Sequence, residues 1–321
     1  MRVNVWHECL RFAAYYAPRG RQRLLMLGES IGQRYLLAND QLIGILGEAG
    51  TGKSSIINGM FPGLELTNDD VGINVRPLPL LRMAQEGKFT AHTFHIDVRF
   101  EMAFSQLGDI VQAIQLALKH GRRVVIEHFD EIYPLLKINP QFLLGVGEEI
   151  VLARPNVFGP FPQDIRKVID GTAIYRKMAH SAEDITSMVL ERDFGIPPPG
   201  YHSDVPRGFV IAFDRKPKKL DIAELQNKVL EIIANKVDIS YADSEHIRIG
   251  PHLYGCTGPR IHVRNSSEIR NFRLLPELVH DIMARKYCLV GLVAEPKSTY
   301  FVDRHPGLPS FGLSDRLDRS V

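Results

Sequence analysis

The stretch Leu42-Ile43-Gly44-Ile45-Leu46-Gly47-Glu48-Ala49-Gly50-Thr51-Gly52-Lys53-Ser54-Ser55 decides how this chain is read. It opens on a short continuous apolar run, the pattern of a strand buried on both faces in a parallel sheet. Gly47 to Ser54 then match G-x-x-x-x-G-K-[ST] in full. Glycines let the backbone curl so that successive N–H groups point at phosphate oxygens. A lysine at the position of Lys53 reaches the β- and γ-phosphates, and the Ser54 hydroxyl is placed for Mg2+. From Ser54 to about Met60 the pattern predicts a helix, closed by Pro62-Gly63, whose positive N-terminal end faces the same anion. Strand, Gly-rich loop and helix are the context the motif requires. Gly47, Glu48, Ala49, Gly50, Thr51, Gly52, Lys53, Ser54 and Ser55 are therefore expected to hold a nucleotide.

This stretch resembles the P-loop NTPase superfamily. The second half of such a site is an acid at the end of a neighbouring strand, which supports Mg2+. Thr93 to Val98 and Arg123 to Glu127 read as strands. Between them Leu107, Ile110, Ile114 and Leu118 line one face of a predicted helix over 104–119. That is a βαβ unit, which implies a parallel sheet with helices on its faces. Glu127 is the first candidate acid, followed by Asp130, Glu131 and Asp97, with Asp69 and Asp70 in a loop. Each alone also fits a solvated loop acid, but Mg2+ triphosphate needs one of them. The expected assignment is Lys53 and Glu127 as catalytic residues and Ser54, Asp97 and Glu127 as the Mg2+ site. No Asn-Lys-x-Asp stretch is present to read guanine, so ATP is expected rather than GTP. Upstream, residues 5–36 read as helix broken near Pro18-Arg19-Gly20.

The whole chain has 321 residues, enough for two domains. Its 45% hydrophobic and 24% charged residues are those of a globular protein and exclude global disorder. Lys+Arg 39 against Asp+Glu 37 excludes a polybasic binder, though not a local basic face. Three cysteines, Cys9, Cys256 and Cys288, are too few for a disulfide scaffold and fit a reducing compartment. Cys9 and Cys288 are expected to be buried thiols. Met1 to Leu10 carries Arg2, His7 and Glu8 where a signal peptide needs an apolar core. No run approaches the roughly 18 apolar residues of a membrane span. A cytoplasmic protein with no membrane partner is expected.

The pattern changes near residue 150. Pro155, Gly159, Pro160 and Pro162 read as a linker. A helix is predicted around Met178 to Phe194, then Pro197-Pro198-Pro199-Gly200, a strand over 209–213, and a helix over 221–235. Asp221 and Glu224 are spaced to cap the second helix. Strands are predicted again over 246–249 and 287–293. Two domains and a tail follow: 1–152 for nucleotide binding, 153–300 as a second domain, and 301–321 as a loose tail.

Within the second domain, Ile261-His262-Val263-Arg264-Asn265-Ser266-Ser267-Glu268-Ile269-Arg270-Asn271-Phe272 resembles the His-Val-x-Asn-Thr-Gly-Glu-Ile-x-x-Phe segment of the second additional domain. That is the editing-type domain of alanyl- and threonyl-tRNA synthetases and of free-standing alanyl-tRNA editing proteins. Upstream, Ala179-His180-Ser181-Ala182-Glu183-Asp184-Ile185 resembles its His-Thr-Ala-Thr-His-Leu helix, and Tyr201 to Asp214 the segment leading to its Arg-x-Asp-Phe strand. The resemblance covers about 165–295, in order. It implies an α+β fold and a zinc site of two histidines four apart, a cysteine and a further histidine. His180 fits the first and His262 the last. Asp184 stands in place of the second histidine. Cys256 lies six residues before His262, where the family has four. One His, one Asp, one Cys and one His could still form a tetrahedral zinc site. The implied chemistry is hydrolysis of the ester joining a wrong amino acid to tRNA, by a water held by zinc or by hydrogen bonds. Tyr254, Arg260 and His252 lie near enough in sequence to contact a substrate. Arg260, Arg264, Arg270 and Arg273, with Phe272 between them, could form a face for tRNA phosphates, and equally read as a solvated basic strand edge.

The expected function is binding and hydrolysis of ATP with Mg2+, coupled to binding or editing of aminoacyl-tRNA or a related aminoacyl compound. The alternatives are a small-molecule kinase with the second domain as acceptor pocket, and a nucleotide-switched binding module without catalysis.

Overall fold

The computed structural model describes residues 12–64, 78–197, 201–243, 245–256, 258 and 261–294. Cys9, Asp69, Asp70, Arg260 and the expected tail at 301–321 lie outside these residues. The chain is a mixed α/β protein that divides into two compact units, one running to Ala173 and one holding most residues from Ile174 on. The division falls inside a helix, whereas the expected boundary at 152/153 falls at the end of a strand.

The first unit contains β1 (Phe12–Tyr16), α1 (Arg21–Tyr35), β2 (Leu42–Gly47), α2 (Lys53–Met60), α3 (Pro79–Glu86), β3 (Thr93–Asp97), α4 (Val98–Glu101), α5 (Leu107–Lys119), β4 (Arg123–Glu127), α6 (Phe129–Leu136), β5 (Phe142–Val146) and β6 (Glu149–Ala153). Its six strands form one sheet in the order β1-β6-β5-β2-β4-β3. β2 pairs in parallel with both β4 and β5, and β4 in parallel with β3. The expected parallel pairing is present in β3, β4, β2 and β5, but the sheet as a whole is mixed, because β6 runs antiparallel to β5 and β1 antiparallel to β6. The tight β5–β6 turn, in which Gly147 N donates to Glu149 O (2.9 Å), reverses the direction. Of the segment expected to be helical before Pro18, the described part, Phe12–Tyr16, is strand. Ala13 to Tyr16 alternate between half-buried and exposed, the period of a strand that finds an edge to pair with.

β2 is buried along its whole length, as a central strand must be. Ile43 and Ile45 pack with Ile56, Ile57, Val125, Phe142 and Leu144. α1 and α2 touch backbone to backbone. A Cβ on Gly59 would lie 2.1 Å from Leu25 O, and one on Gly28 2.3 Å from Ile56 O. This close approach fixes α2, and with it the end of the Gly-rich loop.

The 33-residue helix α7 (Pro162–Phe194) begins well before the predicted Met178. Pro162 opens its first turn, where the missing N–H costs nothing, so this proline starts a helix rather than ending one. The second unit continues with β7 (Tyr201–Val205), β8 (Gly208–Phe213), α8 (Ile222–Ala234), β9 (Ile239–Tyr241), β10 (His246–Ile249), β11 (His252–Gly255), β12 (Arg273–Leu274), β13 (Val279–Asp281) and β14 (Lys286–Leu292). β12, β14, β8 and β7 form one antiparallel sheet, with β13 also on β14, and β11-β10-β9 form another. Asp221 caps α8 by accepting from Glu224 N (3.0 Å). The α8 face of Leu225 and Val229 joins Ile185, Val189, Phe209, Ile211 and Leu289 in this unit's own core. Among the described residues no helix is long and apolar enough to cross a membrane.

Candidate functional site

In the first unit the functional side chains gather where three parallel strands end. β2 runs into Gly47, the loop curls through Gly50, and Gly52 caps α2 in the left-handed region (φ 91°), which a side chain would resist. Lys53 and Ser54 open the helix. Lys53 Nζ donates to Glu48 O (2.9 Å) and lies 3.5 Å from Glu127 Oε2. Ser54 Oγ donates to Glu127 Oε1 (3.0 Å). Thr51 Oγ1 also donates to Glu48 O (2.9 Å), which closes the loop on itself.

Glu127 ends β4 and Asp97 ends β3, and the two are paired in register. His95 is two residues before Asp97 and so on the same face of β3. Its Nε2 lies 3.1 Å from Glu127 Oε1, and since an ionised carboxylate only accepts, the imidazole donates. Burial by itself pushes the Glu127 carboxyl up. The His95 hydrogen bond, the Lys53 ammonium and the Ser54 hydroxyl outweigh it and hold the group at about 2. Asp97 goes the other way: burial, then the Glu127 charge, push its carboxyl above the ordinary range. One oxygen of Asp97 caps α4 by accepting from Phe100 N (3.2 Å). Burial and the charges of Lys53 and Arg99 lower His128 to about 3, so its imidazole is neutral.

Of the other candidate acids, Glu131 is paired with Arg99, and Asp130 lies 3.6 Å from Arg166 of α7. Both are thus directed to arginines. His95 and His128 were not among the expected site residues. For His95 the signal was present, as a histidine two residues from Asp97 in an apolar strand.

In the second unit, His180 and Asp184 lie one turn apart on the buried side of α7. Cys256 follows β11, and its N donates to Glu245 O (2.7 Å). His262 lies between buried Ile261 and Val263, and Val263 N donates to Ser181 Oγ (3.0 Å), which ties this segment to α7 beside His180. The rest of the Ile261 segment is a scaffold. Asn265 and Glu268 form a capping box around the turn at Ser266–Glu268. Ser266 Oγ donates to Ile232 O (3.0 Å) and accepts from Val237 N (2.8 Å).

The four predicted ligands come together, each with one donor atom within 4.8 Å of the others. Cys256 Sγ is 3.5 Å from His180 Nε2 and 3.8 Å from His262 Nε2, and His180 Nε2 is 3.7 Å from Asp184 Oδ2. Zinc–nitrogen and zinc–sulfur bonds of about 2.0–2.3 Å at tetrahedral angles place neighbouring donors roughly 3.3–3.6 Å apart. These edges fit a zinc ion. The shorter His262 Nε2 to Asp184 Oδ2 contact (2.8 Å) is a hydrogen bond that a cation would replace. Neither the aspartate nor the longer Cys–His spacing keeps its donor away. Tyr254 lies close by, and burial and the Asp184 charge raise its hydroxyl above the ordinary value. His252 is exposed.

In the arginine segment Arg264 and Arg270 are exposed, but Phe272 is buried in the core and offers no surface for a base to stack on. Cys288 is half-buried rather than buried.

No family model and no curated protein matches this chain. Among solved structures it is weakly similar to the ornithine aminotransferase from Toxoplasma gondii ME49, with 11% identity over 78% of this chain and 68% of that one and a TM-score of 0.22. It is similar to the same degree to the N-acetylornithine aminotransferase from Stenotrophomonas maltophilia K279a, with 12% identity, 78% and 70% coverage and a TM-score of 0.22. Scores this low carry no argument about fold or activity.

Proposed function

We propose that the first unit binds and hydrolyses a nucleoside triphosphate, ATP by the sequence reading, and that the second binds or edits aminoacyl-tRNA or a related aminoacyl compound. The carrying observation is the triangle of Lys53, Ser54 and Glu127 at the mouth of a Gly-rich loop. Lys53 is held by a backbone carbonyl and one carboxylate. A triphosphate is a stronger partner for its ammonium. As Lys53 turns to the phosphates, the Glu127 carboxylate loses its cation, and with the Ser54 hydroxyl and Asp97 it would hold Mg2+. When bound, Mg2+ neutralises charge on the phosphoryl oxygens. The N–H groups of the loop and of the first turn of α2 orient the same oxygens.

In the second unit His180, Asp184, Cys256 and His262 would hold zinc, which when bound supplies Lewis acidity toward a carbonyl or a water. Tyr254 keeps its proton at neutral pH and can donate a hydrogen bond at the rim of this cluster. Deacylation of mischarged tRNA by the full chain, with and without ATP, tests the coupled reading. Acceleration over background is expected. No acceleration in either condition removes the editing half and leaves nucleotide binding to be judged separately.

A further inference from the structure

We propose that the metal site beside the phosphate loop is built for a first-row divalent transition ion, with the His128 imidazole as a third protein ligand beside Asp97 and Glu127. This deepens the nucleotide reading and rests on it for the part played by Lys53. The three side chains each bring a donor atom within 4.8 Å of the others. His128 is 2% exposed, and its Nδ1 finds no hydrogen-bond partner among the described residues. A buried polar nitrogen left in this state is costly, and native structures rarely keep one without a use. The backbone is held to the same end. His128 adopts the left-handed conformation (φ 56°, ψ 42°) at the start of α6, which a non-glycine residue occupies under protest from its own Cβ. Such strain gathers at ligand sites.

The donor set decides the ion. Mg2+ asks for oxygen ligands in near-ideal octahedral geometry and gives up water reluctantly. Two carboxylates and an imidazole suit the borderline ions of the first transition row better. His95 completes the arrangement. It donates to Glu127 at 3.1 Å and orients that carboxylate from outside the ligand set, as partners of metal ligands commonly do. Lys53, 3.5 Å from Glu127, competes for the same charge until a phosphate draws it off. The site is therefore gated by the nucleotide, and removing the Lys53 ammonium opens it without one.

Mn2+ is the probe. The full chain carrying His180→Ala and His262→Ala, which silences the other histidine cluster, is titrated with Mn2+ by electron paramagnetic resonance, with Mg2+ as competitor. Pulsed spectra are examined for a directly coupled nitrogen. Mn2+ is expected to bind at least about tenfold more tightly than Mg2+, with nitrogen coupling. Lys53→Ala is expected to strengthen nucleotide-free binding by about tenfold. His128→Asn and His128→Gly both accept a positive φ. Each is expected to unfold at the parent's temperature, to lose the coupling and to weaken Mn2+ by about tenfold or more. Persistent coupling with unchanged affinity in both variants overturns the proposal. So does equal affinity for Mg2+ and Mn2+ in the parent, or no Mn2+ binding even with Lys53→Ala. Calorimetry of Mg-ATP on the unmodified chain judges the nucleotide reading apart from these results.

Discussion

Glu127 is an anion whose charge is met by Lys53, Ser54 and His95, all within the first unit. In the second unit His180, Asp184, Cys256 and His262 converge on one point, and none of the four is Lys or Arg. One cluster already contains its cation. The other is all donors, linked by a hydrogen bond between His262 and Asp184. The first therefore calls for a ligand able to draw Lys53 away, which is an anion. The second calls for a positive ion. Two groups of polar residues with similar burial thus differ in what must arrive first: at Glu127 an anion has to draw Lys53 away before a cation can be held, whereas the second cluster has no cationic side chain to displace.

The comparison breaks first at Lys53. Lys53→Ala is expected to lower nucleotide affinity by at least about 100-fold, because it removes the only ammonium in the loop motif and a charge-assisted contact to phosphate. Unchanged affinity in calorimetry would leave the phosphate-loop reading without support. The second unit should not respond to this change, and its metal content is the control.

Next in size is the metal of the second cluster. Purified protein is expected to carry near-stoichiometric zinc, and His262→Ala to lose it. Chelation should lower the unfolding temperature of the parent by about 5 °C or more and leave His262→Ala unmoved. Protein that is metal-free as isolated, and takes up no zinc on titration, would mean that the four side chains are only a hydrogen-bonded cluster.

How much of this was legible beforehand differs between the clusters for a physical reason. The Gly-rich loop is contiguous. Strand, loop and helix are written in neighbouring residues, and the glycines mark their own backbone demands. The second cluster is assembled from α7, the end of β11 and the segment at His262, so spacing along the chain is a poor guide to distance. Cys256, two residues out of the family's spacing, still lies 3.5 Å from His180. What no local pattern carries is long-range pairing. β1 is a strand because β6 offers it an edge, and the strand signal of β5–β6 is weak because Gly145 and Gly147 interrupt its apolar run. The left-handed backbone of His128 is likewise a product of the fold rather than of its neighbours in sequence.

The finest test uses two glutamates of one sheet. Glu127 is held at about 2, while Glu149, on β6, is pushed up to about 7 by burial and by the adjacent Glu148. Both are buried, so the difference lies in partners: Glu127 has a cation and two donors, Glu149 faces a like charge. The signs of their pH effects are opposite. The lowered value of Glu127 stabilises the fold above the ordinary 4.5 and is lost as pH falls toward 2. Glu127→Gln is therefore expected to cost about 2–4 kcal/mol at pH 7, with the deficit shrinking below pH 4.5. The raised value of Glu149 leaves the fold unpenalised below 4.5 and costs stability as pH rises through about 7. Glu149→Gln should then match the parent at pH 4 and exceed it at pH 8 by about 1 kcal/mol, a modest figure because the group keeps some contact with water. Thermal unfolding across pH 4–8 reads both. If both variants were more stable than the parent at pH 8, burial alone would govern the sheet's carboxylates, and the contrast between Lys53-paired and unpaired acids would fail.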